Sequence, residues 1–187
     1  SNNISYNTLF TFGTLSRFHP IKDHETLIKS FSILPYEIKN KIQLLLAGKG
    51  LDKDNQKLNI LIETYIPDIK VKLLGEIKNI KEYLANLNVF TLSSISEGFP
   101  NVLAEAMALG IPCISTDAGD SHYIIGKYGW VVPVKNSFAF SKAILDAYNL
   151  STIQKDKLSI NSKNRIKSNF SKEEFVISYL NLYKSLA

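Results

Sequence analysis

Residues 89–116 read VFTLSSISEGFPNVLAEAMALGIPCIST, and the pattern of this segment indicates the fold class. Apolar runs of strand length open and close it, at residues 89–92 and 111–116. Between them a helix is predicted at about residues 101–109, because a proline precedes it and Gly110, followed by a second proline, ends it. A strand, a helix and a second strand in this order predict a parallel pair joined by a crossover helix.

The same alternation extends over the rest of the chain. Apolar runs predict strands at residues 9–13, 42–47, 71–74, 89–92, 111–116 and 130–132. Helical spacing or turn signals predict helices at 24–34, about 53–65, 80–87 and 101–109, one beginning near Ser137, and two more that finish the chain. The predicted fold class is therefore α/β, a Rossmann-like doubly wound parallel sheet of about six strands.

In such sheets, ligands bind beyond the carboxyl ends of the strands. The loops predicted to line a site follow Gly13, Ala47, Leu74, Leu92 and Thr116.

Composition excludes several classes of protein. The 187 residues suit one domain, and 45% hydrophobic with 21% charged residues is ordinary for a globular protein. No apolar run approaches the roughly 18 residues of a membrane span, and no signal peptide is visible at the start. Cys113 is the single cysteine, so no disulfide can form within the chain and a cytoplasmic setting is favoured. The net charge of +5 is scattered, which does not favour nucleic-acid binding.

The start of the helix at 101–109 is the predicted centre of a binding site. Its first turn has free backbone N–H groups and the positive end of the helix dipole, which suit a phosphate or a polar sugar, and Gly98 lets a ligand approach closely. Glu97 precedes the helix, and Glu105 lies within its otherwise apolar sequence, where a charge calls for a polar partner such as ribose hydroxyls. From the residues alone two readings stay open, because Glu105 could be solvent-exposed and Glu97 could merely cap the helix.

The sequence resembles the retaining GT-B glycosyltransferases of family 4, the glycosyl transferases group 1, in their carboxyl-terminal, donor-binding domain. The resemblance rests on a Glu, seven residues, Glu signature and on other stretches over nearly the whole chain. These are residues 97–101 (EGFPN), 105–108 (EAMA) with Gly110 and Pro112, 116–119 (TDAG), 13–17 (GTLSR), Lys22 with Asp23, 45–50 (LLAGKG), and the end from Asn169 through Tyr179 and Tyr183.

The resemblance implies roles for particular residues. Arg17 and Lys22 would neutralise the donor diphosphate, and with Glu97, which would face the donor sugar, they form the predicted catalytic set. Glu105 would bind ribose, and the turn at residues 75–77 would border the base. The predicted nucleotide-sugar-binding set is Gly13, Glu76, Ile77, Gly98, Phe99, Pro100, Asn101, Val102 and Glu105.

The implied reaction is metal-independent hexosyl transfer from a nucleotide sugar, a UDP-sugar in our prediction, with no cofactor and with retention at the sugar carbon. The acceptor implied is a glycan or a lipid-linked molecule, in bacterial surface polysaccharide synthesis (O-antigen or capsule), in the cytoplasm or at the inner face of its membrane. A complete enzyme of this kind has an acceptor-binding domain before this one. We therefore expect residues 1–187 to be a donor-binding domain that is inactive alone.

The chain departs from the family pattern at Asp23, where a glycine commonly follows the lysine. Alternatives from other classes are a non-catalytic nucleotide-sugar-binding module, a GT-B sugar-nucleotide epimerase, and a dinucleotide-binding oxidoreductase. The last is disfavoured because the first strand is not followed by a Gly-x-Gly-x-x-Gly turn. Three histidines, His19, His24 and His122, have no visible ligand partner and are interpreted as structural or solvated.

Overall fold

The computed structural model describes residues 9–170, which form one parallel sheet flanked by helices. Its strands are β1 (Phe10–Leu15), β2 (Ile42–Ala47), β3 (Lys70–Gly75), β4 (Val89–Leu92), β5 (Cys113–Thr116) and β6 (Trp130–Val132). Its helices are α1 (His24–Ser32), α2 (Tyr36–Lys39), α3 (Gln56–Tyr65), α4 (Ile80–Ala85), α5 (Asn101–Ala108), α6 (Ser121–Ile125), α7 (Ser137–Tyr148) and α8 (Thr152–Asn169). A single 3₁₀ turn, Pro20–Lys22, precedes α1.

The strand order is β3-β2-β1-β4-β5-β6, and all five pairings are parallel. This confirms the predicted Rossmann-like sheet. The order reverses between β1 and β4, because the chain first adds strands on one side of β1 and then returns to add them on the other. Loops that leave neighbouring strands in opposite directions open a crevice at that point, which is where such sheets bind ligands.

Buried side chains fill both faces of the sheet. On one face Phe12, Leu44 and Ile114 pack with the buried residues of α1, α3 and α7. On the other, Phe90 and Cys113 pack with those of α4, α5 and α6. Cys113 is fully buried, and burial raises the pKa of its thiol, so it serves as a small core residue.

Strands β1 and β3 differ from the sequence prediction. The first strand extends two residues beyond its predicted end at Gly13, to Leu15. A glycine is needed at position 13, inside this strand, because any side chain there would collide with Leu87 and with the Tyr83 hydroxyl of the α4 region. Strand β3 is not apolar on both faces, since Lys70, Lys72 and Leu74 are exposed along one side.

The short helices α2 and α6 are missing from the prediction, and the fifth strand begins at Cys113, two residues later than predicted. Two of the three predicted final helices are present as α7 and α8, while the predicted terminal stretch through Tyr179 and Tyr183 lies outside the described residues. Within residues 9–170, no helix combines the length and apolar character that crossing a bilayer requires.

Candidate functional site

The candidate site lies where the loops after β1 and β4 meet, at the reversal of strand order. Lys22, which ends the 3₁₀ turn after β1, donates from Nζ to Glu97 Oε1 at 2.5 Å. The two side chains retain only 20% and 12% of their exposure, so the charges are partly withdrawn from water. An ion pair between residues 75 positions apart therefore joins two of the predicted catalytic side chains.

Glu97 is held from a second side as well. Ser94 Oγ donates to the same Oε1 at 2.6 Å, while α5 has no side-chain cap at its start. The carboxylate thus faces Lys22 and does not cap the helix. Of the two readings that the sequence left open for Glu97, the structure excludes the capping role.

Backbone contacts fix the loop that carries Glu97, residues 93–100, against its neighbours. Ser93 Oγ donates to Lys22 O at 2.8 Å and Ile95 N to Ile21 O at 2.8 Å, which ties the loop to the turn after β1. On its other side, Asp120 N donates to Gly98 O at 3.0 Å. The loop that we call the donor loop (residues 93–100) is therefore held between the loops after β1 and β5.

Helix α5 begins at Asn101, where it was predicted, directly after the donor loop, and Pro100 is its N-cap. Within the described residues, the N–H groups of Phe99, Asn101 and Val102 have no hydrogen-bond acceptor, and the first turn contains no acidic side chain. Unpaired donors and an uncompensated helix dipole favour an anion or a polar oxygen at this end. The structure thus places these three predicted contacts together, beside Glu97.

Arg17 lies in a segment that continues from β1 alongside the loop after β2. Ser16 N donates to Ala47 O at 3.0 Å and Phe18 N to Lys49 O at 2.7 Å, so the backbone on both sides of Arg17 is fixed. The side chain itself is exposed, and within residues 9–170 no acceptor pairs with its guanidinium. It stands at the same edge of the sheet as Lys22, available to an anionic ligand.

The remaining predicted contacts are more dispersed. Glu76 and Ile77 follow β3, three strands from β4 and so roughly 14 Å away at the usual spacing of about 4.8 Å. Their turn is anchored to the loop after β2, because Gly48 N donates to Gly75 O at 2.7 Å. Gly13 lies inside β1 under Leu87, away from the loops, so its visible role is to allow helix packing.

Glu105 is exposed on the surface of α5 and has no recorded partner among the described residues. Of the two readings that the sequence left open for Glu105, the ligand-free chain shows the solvent-exposed one. The apolar neighbours in sequence, Leu103, Ala106 and Met107, lie on the opposite, buried side of the helix. Because the Glu105 carboxylate stays in water in the ligand-free chain, its charge does not lower the free energy of unfolding, and it remains accessible to a ligand.

His24 was interpreted only as structural or solvated, yet it supports the site. The ring is 3% exposed, and its Nε2 lies 3.1 Å from Ser16 Oγ, which links the two ends of the loop that carries Arg17 and Lys22. Its position three and four residues before Leu27 and Ile28 puts it on the buried face of α1, and that spacing could have revealed its burial from sequence.

Burial, and secondarily the charge of nearby Lys22, lower the pKa of His24 from its ordinary value of 6.5 to about 4. Between those values the unfolded chain binds a proton that the folded chain does not, so stability is complete above pH 6.5 and falls as the pH drops towards 4. We expect a loss of about 2–3 kcal/mol at pH 4 from this residue.

The free energy of unfolding in urea, measured at several pH values between 7 and 4, tests this predicted loss of stability. His24→Asn should flatten the pH dependence relative to wild type, whereas the exposed control His122→Asn should leave it unchanged. Equal slopes for wild type and His24→Asn would contradict the assignment.

Comparison with known proteins identifies the family and the fold of this chain. The family model described as glycosyl transferases group 1 matches residues 2–165. A Campylobacter jejuni relative, N-acetylgalactosamine-N,N'-diacetylbacillosaminyl-diphospho-undecaprenol 4-alpha-N-acetylgalactosaminyltransferase, is 30% identical over 156 residues, 80% of this chain and 41% of its own length. The capsular polysaccharide biosynthesis glycosyltransferase CapM of Staphylococcus aureus is 28% identical over 171 residues, 89% of this chain and 44% of its own.

Among solved structures, Anabaena HepE in complex with UDP-glucose matches with a TM-score of 0.80 at 21% identity, over 95% of this chain and 49% of HepE. At that identity the likeness shows a shared fold. The chain spans less than half the length of each of these three proteins. Since the family model covers well over half of its residues, the chain belongs to the glycosyl transferases group 1 family.

Proposed function

We propose that this chain is the carboxyl-terminal, donor-binding domain of a retaining GT-B glycosyltransferase of family 4. The observation that carries the proposal is the Lys22–Glu97 pair, set between β1 and β4 beside the open start of α5. A lysine, a carboxylate and free backbone N–H groups converge there, as binding a sugar joined to a diphosphate requires.

The proposed donor is a UDP-sugar. Its diphosphate lies against Arg17 and Lys22, and its sugar faces Glu97 and the amides at the start of α5. Its ribose meets Glu105, and its base lies towards Glu76 and Ile77. The dispersed placement of these residues along one edge of the sheet suits an extended ligand. The complex of HepE with UDP-glucose supports this class of donor.

In the proposed reaction, the bond between the sugar carbon and the phosphate oxygen breaks, and its electron pair leaves with the diphosphate. Arg17 and Lys22 stabilise the charge that develops there, without requiring a metal ion. The acceptor oxygen bonds to the same carbon from the same face, and its proton passes to the leaving phosphate oxygen. Lys22 exchanges Glu97 for phosphate, which leaves the carboxylate facing the electron-poor sugar.

The acceptor-binding part belongs, in this proposal, to a preceding domain of a longer protein, and this chain alone transfers no sugar. The relatives' names, one a diphospho-undecaprenol glycosyltransferase and one a capsular polysaccharide glycosyltransferase, support a glycan or lipid-linked acceptor. They likewise support a role in bacterial surface polysaccharide synthesis, in the cytoplasm or at the inner face of its membrane.

Calorimetric titration of the chain with UDP, GDP and ADP tests the donor site. We expect UDP to bind most tightly and to bind equally well in EDTA, because protein cations and backbone N–H groups supply the phosphate contacts. Arg17→Gln should weaken binding, while the exposed lysine variant Lys142→Gln on α7 serves as a control of equal charge change. Loss of binding in EDTA would refute metal independence, and absence of binding by all three nucleotides would refute the donor site.

Glu105→Ala should weaken UDP binding by about 1–3 kcal/mol, because the ribose hydroxyls lose an acceptor. Because Glu105 is exposed and unpaired within the described residues, the same change should leave the free energy of unfolding within about 0.5 kcal/mol of wild type. Calorimetry and urea unfolding measure the two quantities. An unchanged dissociation constant would remove Glu105 from the site.

A further inference from the structure

Helix α8 reaches the donor loop with its last turn. The helix packs against α5, and Ser162 in its middle is buried against the turn before β6. Its C-cap residue, Phe170, then places an aromatic ring next to Phe99 of the donor loop, with ring centroids 5.7 Å apart. The end of α8 thus touches the loop whose amides face the candidate site.

Phe170 is itself fixed by two neighbours. The ring of Tyr123 in α6 meets it edge-on, with centroids 5.3 Å apart. The guanidinium of Arg165 lies over the Phe170 ring, 5.9 Å from its centroid. Aromatic pairs at such distances, and a cation above a ring, are each attractive beyond simple burial.

Arg165 is in turn anchored to the backbone of α6. Its Nε donates to Ile124 O at 2.7 Å, and its Nη2 donates to Tyr123 O, so it satisfies carbonyls at the carboxyl end of that helix. Gly126 makes room for it, since a Cβ there would lie 2.8 Å from the guanidinium carbon. Arg165 therefore fixes the end of α8 against α6.

Phe99 is the large side chain of the donor loop that lies between Glu97 and the start of α5. Glu97 is turned towards Lys22, and Gly98 has no side chain, so the next large side chain before α5 is that of Phe99. It is 42% exposed, and within the described residues its ring packs on the Phe170 ring. Packing on Phe170 is thus an aromatic contact through which the end of α8 can set the direction of the Phe99 and Asn101 N–H groups.

We propose that Phe170, held by Arg165, is a positioning residue that fixes the donor loop through Phe99. The inference rests on the proposed function, because its consequence is a donor site preorganised by the end of α8. Removing the Phe170 ring frees Phe99, lets the N–H groups at the start of α5 turn away, and weakens donor binding although no ligand contact has been removed.

The test is a double-mutant cycle with UDP-glucose as the probe, measured by calorimetry well below the melting temperature of each variant. Phe170→Ala should weaken binding about fivefold to tenfold, and Phe170→Tyr should restore it. Because Phe170 acts through Phe99, Phe170→Ala should add little in a Phe99→Ala background. Phe138→Ala, at a ring 71% exposed on α7, is the matched control and should bind as wild type does.

Hydrogen exchange of the ligand-free chain provides a second readout. Phe170→Ala should speed exchange of the Asp120 and Leu103 N–H groups, which donate to Gly98 O and Pro100 O of the donor loop, while leaving those of β1 and β4 unchanged, which a general loss of stability would not do. Independent, additive losses in the cycle, or unchanged exchange of these two N–H groups, would overturn the inference. If wild type binds neither UDP nor UDP-glucose, the proposed function fails, and exchange alone decides whether Phe170 holds the loop.

Discussion

Glu97→Gln, in an enzyme that joins this chain to the acceptor-binding domain of our proposal, is expected to lower the transfer rate by about 100-fold, the usual effect of removing one group that stabilises developing charge. UDP affinity is expected to stay at the wild-type value or to rise. The reason is the ion pair, since the carboxylate competes with phosphate for Lys22 at 2.5 Å in the ligand-free chain. An interaction made mainly in the transition state appears in turnover, and one made in the ground state appears in affinity.

Arg17→Ala is the contrasting variant. Its guanidinium would meet a diphosphate that is anionic before and after transfer, so UDP affinity and transfer rate should fall together. Steady-state rates and calorimetry on both variants separate the two roles. A Glu97→Gln enzyme with near-normal turnover would show that this carboxylate only holds Lys22 and Ser94 in place.

Gly119→Ala is expected to destabilise the fold by about 2–4 kcal/mol and to abolish measurable donor binding. The residue has φ of +55°, and an added Cβ would lie 2.2 Å from Glu97 O and 2.4 Å from Gly98 O. Both atoms belong to the backbone of the donor loop, which would have to move by about 1 Å to reach an ordinary contact distance. The loop would then lose the position that faces Glu97 towards Lys22.

Gly98→Ala is the matched control, because an added Cβ at Gly98 meets nothing within 4 Å. Its free energy of unfolding should stay within about 0.5 kcal/mol of wild type. Donor binding should nevertheless weaken at least about tenfold, since the methyl group occupies space that the ligand uses in our proposal. Urea unfolding and calorimetry on both variants provide the comparison, and a stable Gly98→Ala chain with full affinity would place the ligand farther from the loop.

The sheet was predictable because its strands are short apolar runs separated by glycine and by helical spacing. All six predicted strands are present and follow one another along the chain in the predicted order. Helices α2 and α6, of four and five residues, could not be predicted, because one turn of helix is too short to show a 3.6-residue period. The predicted end of β1 at Gly13 is wrong, because the glycine lies inside the strand, where the packing of the α4 region leaves no room for a side chain.

The candidate site was predictable in its members but not in its geometry. Family resemblance pointed to Arg17, Lys22 and Glu97, and the framed start of α5 pointed to its free N–H groups. Contact between Lys22 and Glu97 depends on β1 lying next to β4, and long-range pairing of this kind is not encoded in local periodicity. The same holds for the packing of Phe170 on Phe99, which joins positions 71 residues apart, the difference between their numbers.

The pairing of Lys22 with Glu97 also bears on how a charged donor finds its way in. Opposite charges 2.5 Å apart form a small dipole, whose field fades much faster with distance than that of a single charge. From beyond the screening length of about 8 Å at physiological salt, the diphosphate of the proposed donor is therefore attracted less by Lys22 than by exposed cations such as Arg17. Raising the ionic strength should accordingly slow association through those exposed cations, whereas in our proposal Lys22 acts only after contact, once phosphate has taken the place of the carboxylate.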